Sequence, residues 1–502
     1  MPFLPLRIPP GISRPGTKYD ARGRWYDANL VRWYEGNLQP VGGWEPLVLT
    51  DETPVQGDGP VRGMIAWRDL EGFPVLVFGT YKGIWAFRED LIVDITPDGF
   101  VEGLKDADLV SGQYGSGAYG AGSYGEGVAG SGVLTEATNW QLDTFGQVLV
   151  AVAHGDGRLL WWTDPTSTTD PLEEIPNAPS DNVGVVVTPE RFVVAIGAGG
   201  DGRLVAWSDQ EDPTTWTPDV ANQAGDFPLT TPGTLMAGRR SRQETLLWTD
   251  VDLWAMRFIG GTLVYSFQQL GSACGVVSRH AMAVVDGRAF WMGERQFFRY
   301  DGTVRPIPCD VAEHVFGSIN RMQASKITCF PRSQFSEVVW HYPSAGSLEN
   351  DRYVTYNYRD DYWSIGELER TSGVDDTAFR FPIAADAQGR IYRHEVPNGS
   401  YEAPDGSPLI PYAESGPIEV GAGDRVMMVR GIVPDVNTLG GVQGELFAST
   451  FPVQSEVSQG PFPLANPTSV RLTGRQVRLR VEGSDDWRVG TMRLDVVGGG
   501  RR

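Results

Sequence analysis

The chain repeats a short segment at a fixed spacing, and this repeat constrains the fold more than any other feature. A segment that reads GDGRLLWWTD begins at Gly155, and a close copy that reads GDGRLVAWSD begins 45 residues later at Gly200. A weaker copy that ends in Trp248-Thr249-Asp250 follows after a further 41 residues. A period of about 40 to 50 residues that ends in Trp-Asp or a close variant is typical of β-propeller blades.

Short strands and tight turns surround these repeats. The β-branched runs at residues 191–196 and Met282–Val285 are broken by turn residues, and the chain holds 62 glycines and 35 prolines. A four-stranded sheet cannot bury both faces alone, whereas neighbours in a ring bury them, and ring closure removes the exposed edges. We therefore predict an all-β fold with a β-propeller of about six blades, with room for an interruption of the repeat.

Composition shifts suggest the domain boundaries. Residues 1–45 hold five prolines in the first fifteen positions and predict an extended arm with no regular element at its start. Residues 46–396 form the predicted propeller, which contains a glycine- and tyrosine-rich loop at 111–132. Residues 397–417 are rich in proline and predict a linker. Apolar and charged residues alternate in 418–497, which predicts a small antiparallel β-sheet or sandwich.

The charge balance argues against a surface that binds nucleic acid. With 63 acidic and 42 basic residues, the formal net charge is −21, and such a field repels phosphates. The only dense basic group is Arg239, Arg240 and Arg242, which we interpret as a solvated loop between strands. The first residues lack the pattern of a signal peptide, and no apolar run approaches the ~20 residues of a membrane span. We therefore expect a soluble protein.

The sequence offers no catalytic, cofactor or metal motif in a convincing context. Gly115, Gly117 and Gly120 match the dinucleotide fingerprint, but the glycines and tyrosines that follow cannot open a helix. The five histidines share no metal-ligand spacing, and three cysteines are too few for a disulfide framework or a zinc site. We predict no catalytic, cofactor-binding or metal-binding residue. The alternative is a glycosidase whose catalytic carboxylates converge from separate blades. The spacing of acidic residues along the sequence does not test this alternative, because such residues are distant in sequence and meet only in the fold.

Two groups of aromatic residues are candidates for contacts and packing. The duplication RWYDANL and RWYEGNL surrounds a hairpin predicted at residues 35–37. Its aromatic side chains suit an arm that docks either on the rest of the same chain or on a neighbouring subunit. We predict as subunit or adaptor contacts the arm and loop aromatics Trp25, Tyr26, Trp33, Tyr34, Tyr114, Tyr119 and Tyr124. The repeat tryptophans are predicted to pack between blades while the following Asp caps a turn, with a sugar-binding ring as the alternative: Trp162, Trp207 and Trp248.

Short motifs along nearly the whole chain resemble a known group of proteins. They are residues 9–12 (PPGI), 23–33 (GRWYDANLVRW), 42–44 (GGW), 114–125, 206–209 (AWSD) with 213–216 (PTTW), and 475–483 (RQVRLRVEG). Together they resemble virion proteins of tailed bacteriophages. In function the nearest analogy is the tail hub or nozzle of short-tailed phages, also called the packaged-DNA stabilisation protein.

The resemblance implies a homo-hexameric ring below the portal and adaptor, in contact with tail fibre or tip proteins. Double-stranded DNA would pass through it without specific binding, and the ring would help to retain and release the packaged genome. It implies a virion protein assembled in the host cytoplasm, with no catalysis, cofactor or small-molecule substrate. The alternative is a receptor- or carbohydrate-binding propeller, either a tail fibre head or a glycan depolymerase.

Overall fold

The computed structural model describes residues 3–110, 133–419, 425–451 and 454–499, and these are mostly strands and turns. The one α-helix of these residues is Ala312–Ser318. It is accompanied by the short 3-10 helices Ala198–Gly200, Gly261–Leu263, Arg321–Lys326 and Ser333–Phe335. The all-β prediction is confirmed. No helix in the described ranges has the length and apolar character to span a bilayer.

Seven four-stranded antiparallel sheets within the described residues form the blades of a propeller. Blades 1 and 2 consist of Met64–Arg68, Pro74–Gly79, Ile84–Arg88 and Leu91–Asp94, then Trp140–Phe145, Val148–Ala153, Leu160–Trp162 and Glu173–Glu174. Blades 3 and 4 consist of Gly184–Val187, Val193–Ile196, Leu204–Trp207 and Gly225–Pro228, then Leu235–Arg240, Thr245–Thr249, Leu253–Phe258 and Tyr265–Gly271. The propeller prediction is confirmed, with seven blades where about six were expected.

The remaining blades complete the ring. Blades 5 and 6 consist of Met282–Val285, Arg288–Met292, Phe297–Tyr300 and Val304–Ile307, then Thr328–Arg332, Glu337–Tyr342, Arg352–Asn357 and Tyr362–Glu367. Blade 7 takes three strands from one end of the propeller sequence and the fourth from the other end: Ser372–Val374, Ile383–Ala385, Ile391–Val396 and Gly43–Pro46. The ring closes where the first strands of blades 7 and 1 meet.

The strand Gly43–Pro46 holds the last blade together. It pairs antiparallel with Ile391–Val396, with Trp44 opposite His394. Gly43 lies against Gly399, where a Cβ atom on either residue would overlap backbone. The two glycines before Trp44 therefore let the chain approach closely enough to add the fourth strand.

The C-terminal unit is a β-sandwich that includes two strands from the start of the chain. Its first sheet has the order Phe3–Leu6, Met492–Gly498, Met427–Val433 and Thr468–Gly474. Its second sheet has the order Trp25–Asn29, Tyr412–Ser415, Gln476–Glu482, Gln443–Ser449 and Val457–Pro463, with Ile418–Glu419 also paired to Gln476–Glu482. Three short pairs complete the strands: Val31–Tyr34 with Asn37–Pro40, Leu439–Gly440 with Trp487–Arg488, and Asp108–Val110 with Val133–Thr135.

The N-terminal arm is more ordered than its prolines predicted. The expectation of no regular element at its start is wrong, because Phe3–Leu6 pairs along Met492–Gly498 at the edge of a sheet. Pro5 is tolerated there because an edge strand needs fewer backbone donors. The hairpin predicted at residues 35–37 is present, with positive φ angles at Glu35 and Gly36. The predicted linker also contains a sandwich strand, Tyr412–Ser415.

Replacing Trp44 by alanine tests ring closure. The indole is 2% exposed, packs on His394 and Tyr401 at centroid distances of 5.5 and 5.7 Å, and donates to the Glu402 carbonyl. We expect Trp44→Ala to lower the free energy of unfolding by about 3–5 kcal/mol in urea titrations followed by circular dichroism. The control Leu70→Ala removes a side chain that is 85% exposed and is expected to cost less than about 0.5 kcal/mol. Equal losses for the two variants would contradict the closing role of Trp44.

Candidate functional site

The predicted contact residues of the arm lie in a seam between the sandwich and blade 6, which we call the domain seam. Trp25 and Trp33 are each 4% exposed, and their ring centroids are 6.2 Å apart. Trp33 packs edge-on against Tyr362 of blade 6 at 5.6 Å, and the Tyr362 hydroxyl donates to the Trp33 carbonyl. Both indoles are therefore packed within the chain and are not exposed to another subunit in this folded state.

The two tyrosines beside them are only half-buried. Tyr26 lies under the Arg14 guanidinium, 4.8 Å from its ring centroid, and Tyr34 meets Phe335 edge-on at 5.7 Å. Part of each ring remains available to another molecule. The loop tyrosines Tyr114, Tyr119 and Tyr124 lie outside the described residues.

A buried ion-pair cluster of Arg32, Glu337 and Glu395, which we call the seam cluster, fixes the arm to blades 6 and 7. The Arg32 Nε and Nη2 atoms donate to Glu337 at 3.2 and 3.1 Å, and its Nη1 and Nη2 atoms donate to Glu395 at 2.7 and 2.5 Å. The three side chains are between 2% and 6% exposed. The Gly42 N–H also donates to Glu395, and Phe335 stacks 3.6 Å from the guanidinium.

The electrostatics of this cluster favour a structural role. Burial opposes ionisation of Glu395, but the charge and hydrogen bonds of Arg32 hold the pKa of that carboxyl below its usual value. Burial raises the pKa of Glu337, although Arg32 and Arg332 work against the shift. All four carboxylate oxygens accept hydrogen bonds from Arg32, so neither group is free to act as an acid or a base on a substrate.

The repeat tryptophans lie inside the ring, next to neighbouring blades. Trp162, at 2% exposure, packs with residues of blade 1, and Trp207, at 5%, packs edge-on against Tyr265 of blade 4 at 5.4 Å. Trp248 is fully buried and meets Trp291 of blade 5 at 5.8 Å. None of these indoles presents a face to solvent, which disfavours the alternative of a sugar-binding ring.

The acidic residues after these tryptophans accept backbone hydrogen bonds, but not all of them at turns. An Asp164 oxygen caps a turn by accepting from the Thr166 N–H at 2.9 Å, whereas an Asp250 oxygen accepts at 2.7 Å from the N–H of Thr234, 16 residues earlier in the chain. The third copy of the repeat nevertheless occupies a different position. Leu160–Trp162 and Leu204–Trp207 are third strands of their blades, whereas Trp248 belongs to the second strand of blade 4.

A central channel runs between the first strands of the blades. Its cavity has a volume of 370 Å³ and is lined by residues of blades 1, 2 and 4 to 7. Arg239 and Arg240 line it, because both belong to the first strand of blade 4. The interpretation of these arginines as a solvated loop is therefore wrong, and only Arg242 lies in the connection that follows the strand.

The histidines and cysteines form no ligand set in the described part of the chain. No group of three or more His, Cys, Asp or Glu residues there is placed to hold a metal ion, and the three cysteines are free. Burial, followed by nearby arginines, lowers the pKa of three histidines to about 4, 3 and 4: His154, His280 and His314. The same causes hold the pKa of His341 and His394 well below the usual value.

The cluster around Arg32 was not predicted from the sequence. Its local signal is a charged residue inside an otherwise apolar strand, as with Glu337 at the start of a strand that reads EVVWHY. Such a residue must find a partner when the strand is buried. The signal identifies the need for a partner but not the partner, because Arg32 is 305 residues away.

No known protein family and no curated protein matches this sequence. Among solved structures, the β-propeller domain of Cps50 (Swd1) from Myceliophteria thermophila shares 10% identity at a TM-score of 0.40, covering 71% of this chain and 99% of that one. The WD40 domain of Pan2 from Neurospora crassa shares 9% at 0.39, covering 70% and 94%. An exo-β-1,3-galactanase from Phanerochaete chrysosporium shares 10% at 0.29, covering 91% and 100%. These likenesses carry no argument about function.

Removing the central cation of the seam cluster should unfold the arm from the propeller. We expect Arg32→Ala to cost about 3–5 kcal/mol of the free energy of unfolding, since it leaves Glu337 and Glu395 buried without the guanidinium that binds both, and among the described residues only the Arg332 cation remains, 3.5 Å from Glu395. The control Arg352→Ala breaks an exposed pair with Glu367 at 3.5 Å and should cost about 0–1 kcal/mol. Urea denaturation of both variants checks this, and a small loss for Arg32→Ala would refute the anchoring role.

The lowered histidine pKa values predict a loss of stability in acid. Because the folded form holds these groups neutral, the unfolded chain takes up more protons as pH falls below about 6.5, and stability falls with it. His314→Gln removes one such group, so between pH 7.5 and 5 the variant should lose about 2 kcal/mol less than the wild type.

The same pair of proteins supplies the control for this prediction. The difference between the free energies of unfolding of the variant and the wild type cancels the contribution of the buried carboxyls. Glu337 is one of these, and its raised pKa changes stability with pH in the opposite sense. Between pH 7.5 and 9 the difference should stay constant. If the free energy of unfolding of the variant and that of the wild type fall by the same amount between pH 7.5 and 5, the prediction is contradicted. His314 then takes up its proton equally well in the folded and unfolded states.

Proposed function

We propose that this chain is a structural subunit of a tailed-phage virion, a hub or nozzle of the tail, and not an enzyme. The observation that carries the proposal is the use of the first 46 residues. They supply two strands to the sandwich, the closing strand to blade 7 and the cation of the seam cluster. The propeller and sandwich are thus one hydrogen-bonded unit, which suits a part that must transmit load within an assembly.

The charge distribution supports a conduit along which DNA slides. The net charge is −21, and outer arginines such as Arg88, Arg191 and Arg257 are each paired with a carboxylate at 2.6 to 2.7 Å. A guanidinium already held by a carboxylate is a poor partner for phosphate. A ring of such subunits offers DNA few attachment points, in keeping with passage rather than specific binding.

An apolar patch on blades 3 and 4 suits a contact between subunits. Phe227 and Phe267 stack at 4.4 Å on neighbouring outer strands, and Phe258, at the start of a hairpin turn, meets Tyr265 of the same outer strand as Phe267 at 5.7 Å. In that turn Ile259 is 55% exposed and Leu263 is 70% exposed. Clustered apolar side chains on a surface mark interaction sites more often than isolated ones do.

Mass photometry and negative-stain microscopy of the purified chain test the proposal. We expect a hexamer with a six-fold ring at micromolar concentration. The double variant Ile259→Asp with Leu263→Asp should dissociate it, because it places charges in the apolar contact. The control Leu70→Asp changes a leucine on blade 1 that is even more exposed, at 85%, and should leave the hexamer intact.

Other outcomes of this experiment separate the alternatives. A monomer at every concentration would contradict the ring. A trimer would favour the fibre-head alternative, and release of sugars from host glycans by the purified protein would favour a depolymerase. In both of the last cases the hub proposal fails.

A further inference from the structure

The central channel contains a guanidinium that is held in place but not neutralised. The Arg239 Nη1 atom donates to the Gln141 side-chain oxygen and to the Gly238 carbonyl, both at 3.0 Å. Gln141 is itself fixed, since its amide donates to the Arg279 carbonyl at 3.2 Å. These contacts set the orientation of the Arg239 group within the cavity wall.

The opposite edge of the same guanidinium is free. Among the described residues, no carboxylate oxygen lies within 4.0 Å of Arg239, and its Nε and Nη2 atoms donate no hydrogen bond. Arg239 is only half-buried and lines the channel cavity, so this edge remains accessible from the channel. This Nε–Nη2 edge is the fork that binds a carboxylate or phosphate through two parallel hydrogen bonds.

The nearest carboxylate, Asp143, attracts Arg239 through space but forms its ion pair with Arg240. Asp143 accepts from Arg240 at 2.7 Å and from the Thr144 and Val187 N–H groups at 2.8 Å, so its oxygens are already engaged. Burial is the largest influence on Arg239 and lowers its pKa. Arg32 differs, since two direct carboxylate partners raise its pKa despite burial.

The other titratable groups that face the cavity are neutral or remote. Burial lowers the pKa of His280 to about 3 and raises that of the Cys329 thiol, so both are uncharged at neutral pH. Asp375 also lines the cavity, but it accepts from the Ser333 and Asp376 N–H groups, and its charge does not act on the pKa of Arg239.

We propose that the channel binds a small organic carboxylate, held by the Nε–Nη2 edge of Arg239 with its apolar body against the first strands of blades 1 and 5. One unpaired cation matches a single negative charge. A phosphate dianion would leave an excess negative charge in a cavity that already holds Asp143 and Asp375. The apolar wall is supplied by Ile65, Met282 and Val284.

The size of the cavity fits a ligand of this class. Its 370 Å³ lies at the lower end of the roughly 300–1,000 Å³ typical of small-molecule sites. A single aromatic ring with one carboxylate fits such a volume. The site is independent of any role in assembly. It lies inside the propeller of a single chain and not on the outer surface where subunits would meet.

Isothermal titration with benzoate, benzamide, acetate and inorganic phosphate at constant ionic strength tests the proposal. Benzoate should bind saturably to the folded chain. Benzamide, which keeps the ring and loses the charge, should bind at least tenfold more weakly. Acetate should bind more weakly because it lacks the apolar body, and phosphate should bind more weakly than benzoate.

Variants locate the binding at Arg239. Arg239→Gln should weaken benzoate at least tenfold, and Arg239→Lys should also weaken it because lysine lacks the fork. The control Arg203→Gln alters an exposed arginine of blade 3 and should leave affinity unchanged. The proposal is overturned if wild type shows no saturable benzoate binding, if Arg239→Gln binds equally well, or if phosphate or benzamide matches benzoate. The benzamide comparison decides the case even if a variant fails to fold.

Discussion

A propeller hides the edges of its sheets only when the ring is closed, and here closure depends on the pairing of Gly43–Pro46 with Ile391–Val396. The rest of the molecule is arranged around that pairing. Arg32, eleven residues before Gly43, is buried between Glu337 of blade 6 and Glu395 of the strand that receives the closing strand. The Gly42 N–H donates to the same Glu395 carboxylate. Closure therefore combines strand pairing, indole packing and a buried charge cluster at one place.

The sequence was informative wherever structure is local. The GDGR segments at Gly155 and Gly200 precede equivalent third strands, with the first glycine of each segment at positive φ, because the same turn chemistry recurs at the same point of two blades. The tight turn at Glu35-Gly36 was predictable for the same reason. The third copy was misleading: Trp248 fills an inter-blade space like its relatives, but from the second strand. Apolar packing between blades accepts an indole from more than one strand, so residue type alone does not fix strand position.

What the sequence could not provide is pairing over long distances. Nothing near Phe3–Leu6 indicates that Met492–Gly498 is its partner, and five early prolines argued against any strand there. The arginines at 239 and 240 were predicted to lie in a solvated loop because three basic residues lie close together in the sequence, whereas the strand Leu235–Arg240 includes both of them. The candidate sites share this origin: the Arg32 cluster and the channel edge of Arg239 each combine residues from several blades, and only the closed ring brings them together.

The sandwich strand at Phe3–Leu6 has a consequence for synthesis on the ribosome. It is made long before its neighbour Met492–Gly498, so this strand has no partner to pair with until synthesis has passed that segment. The closing strand of blade 7 waits in the same way for residues beyond 390. An interrupted nascent chain therefore keeps open sheet edges and unpaired buried charges, features that cellular quality control recognises. The fold thus makes an incomplete chain recognisable until both the propeller and the sandwich have received their last strands.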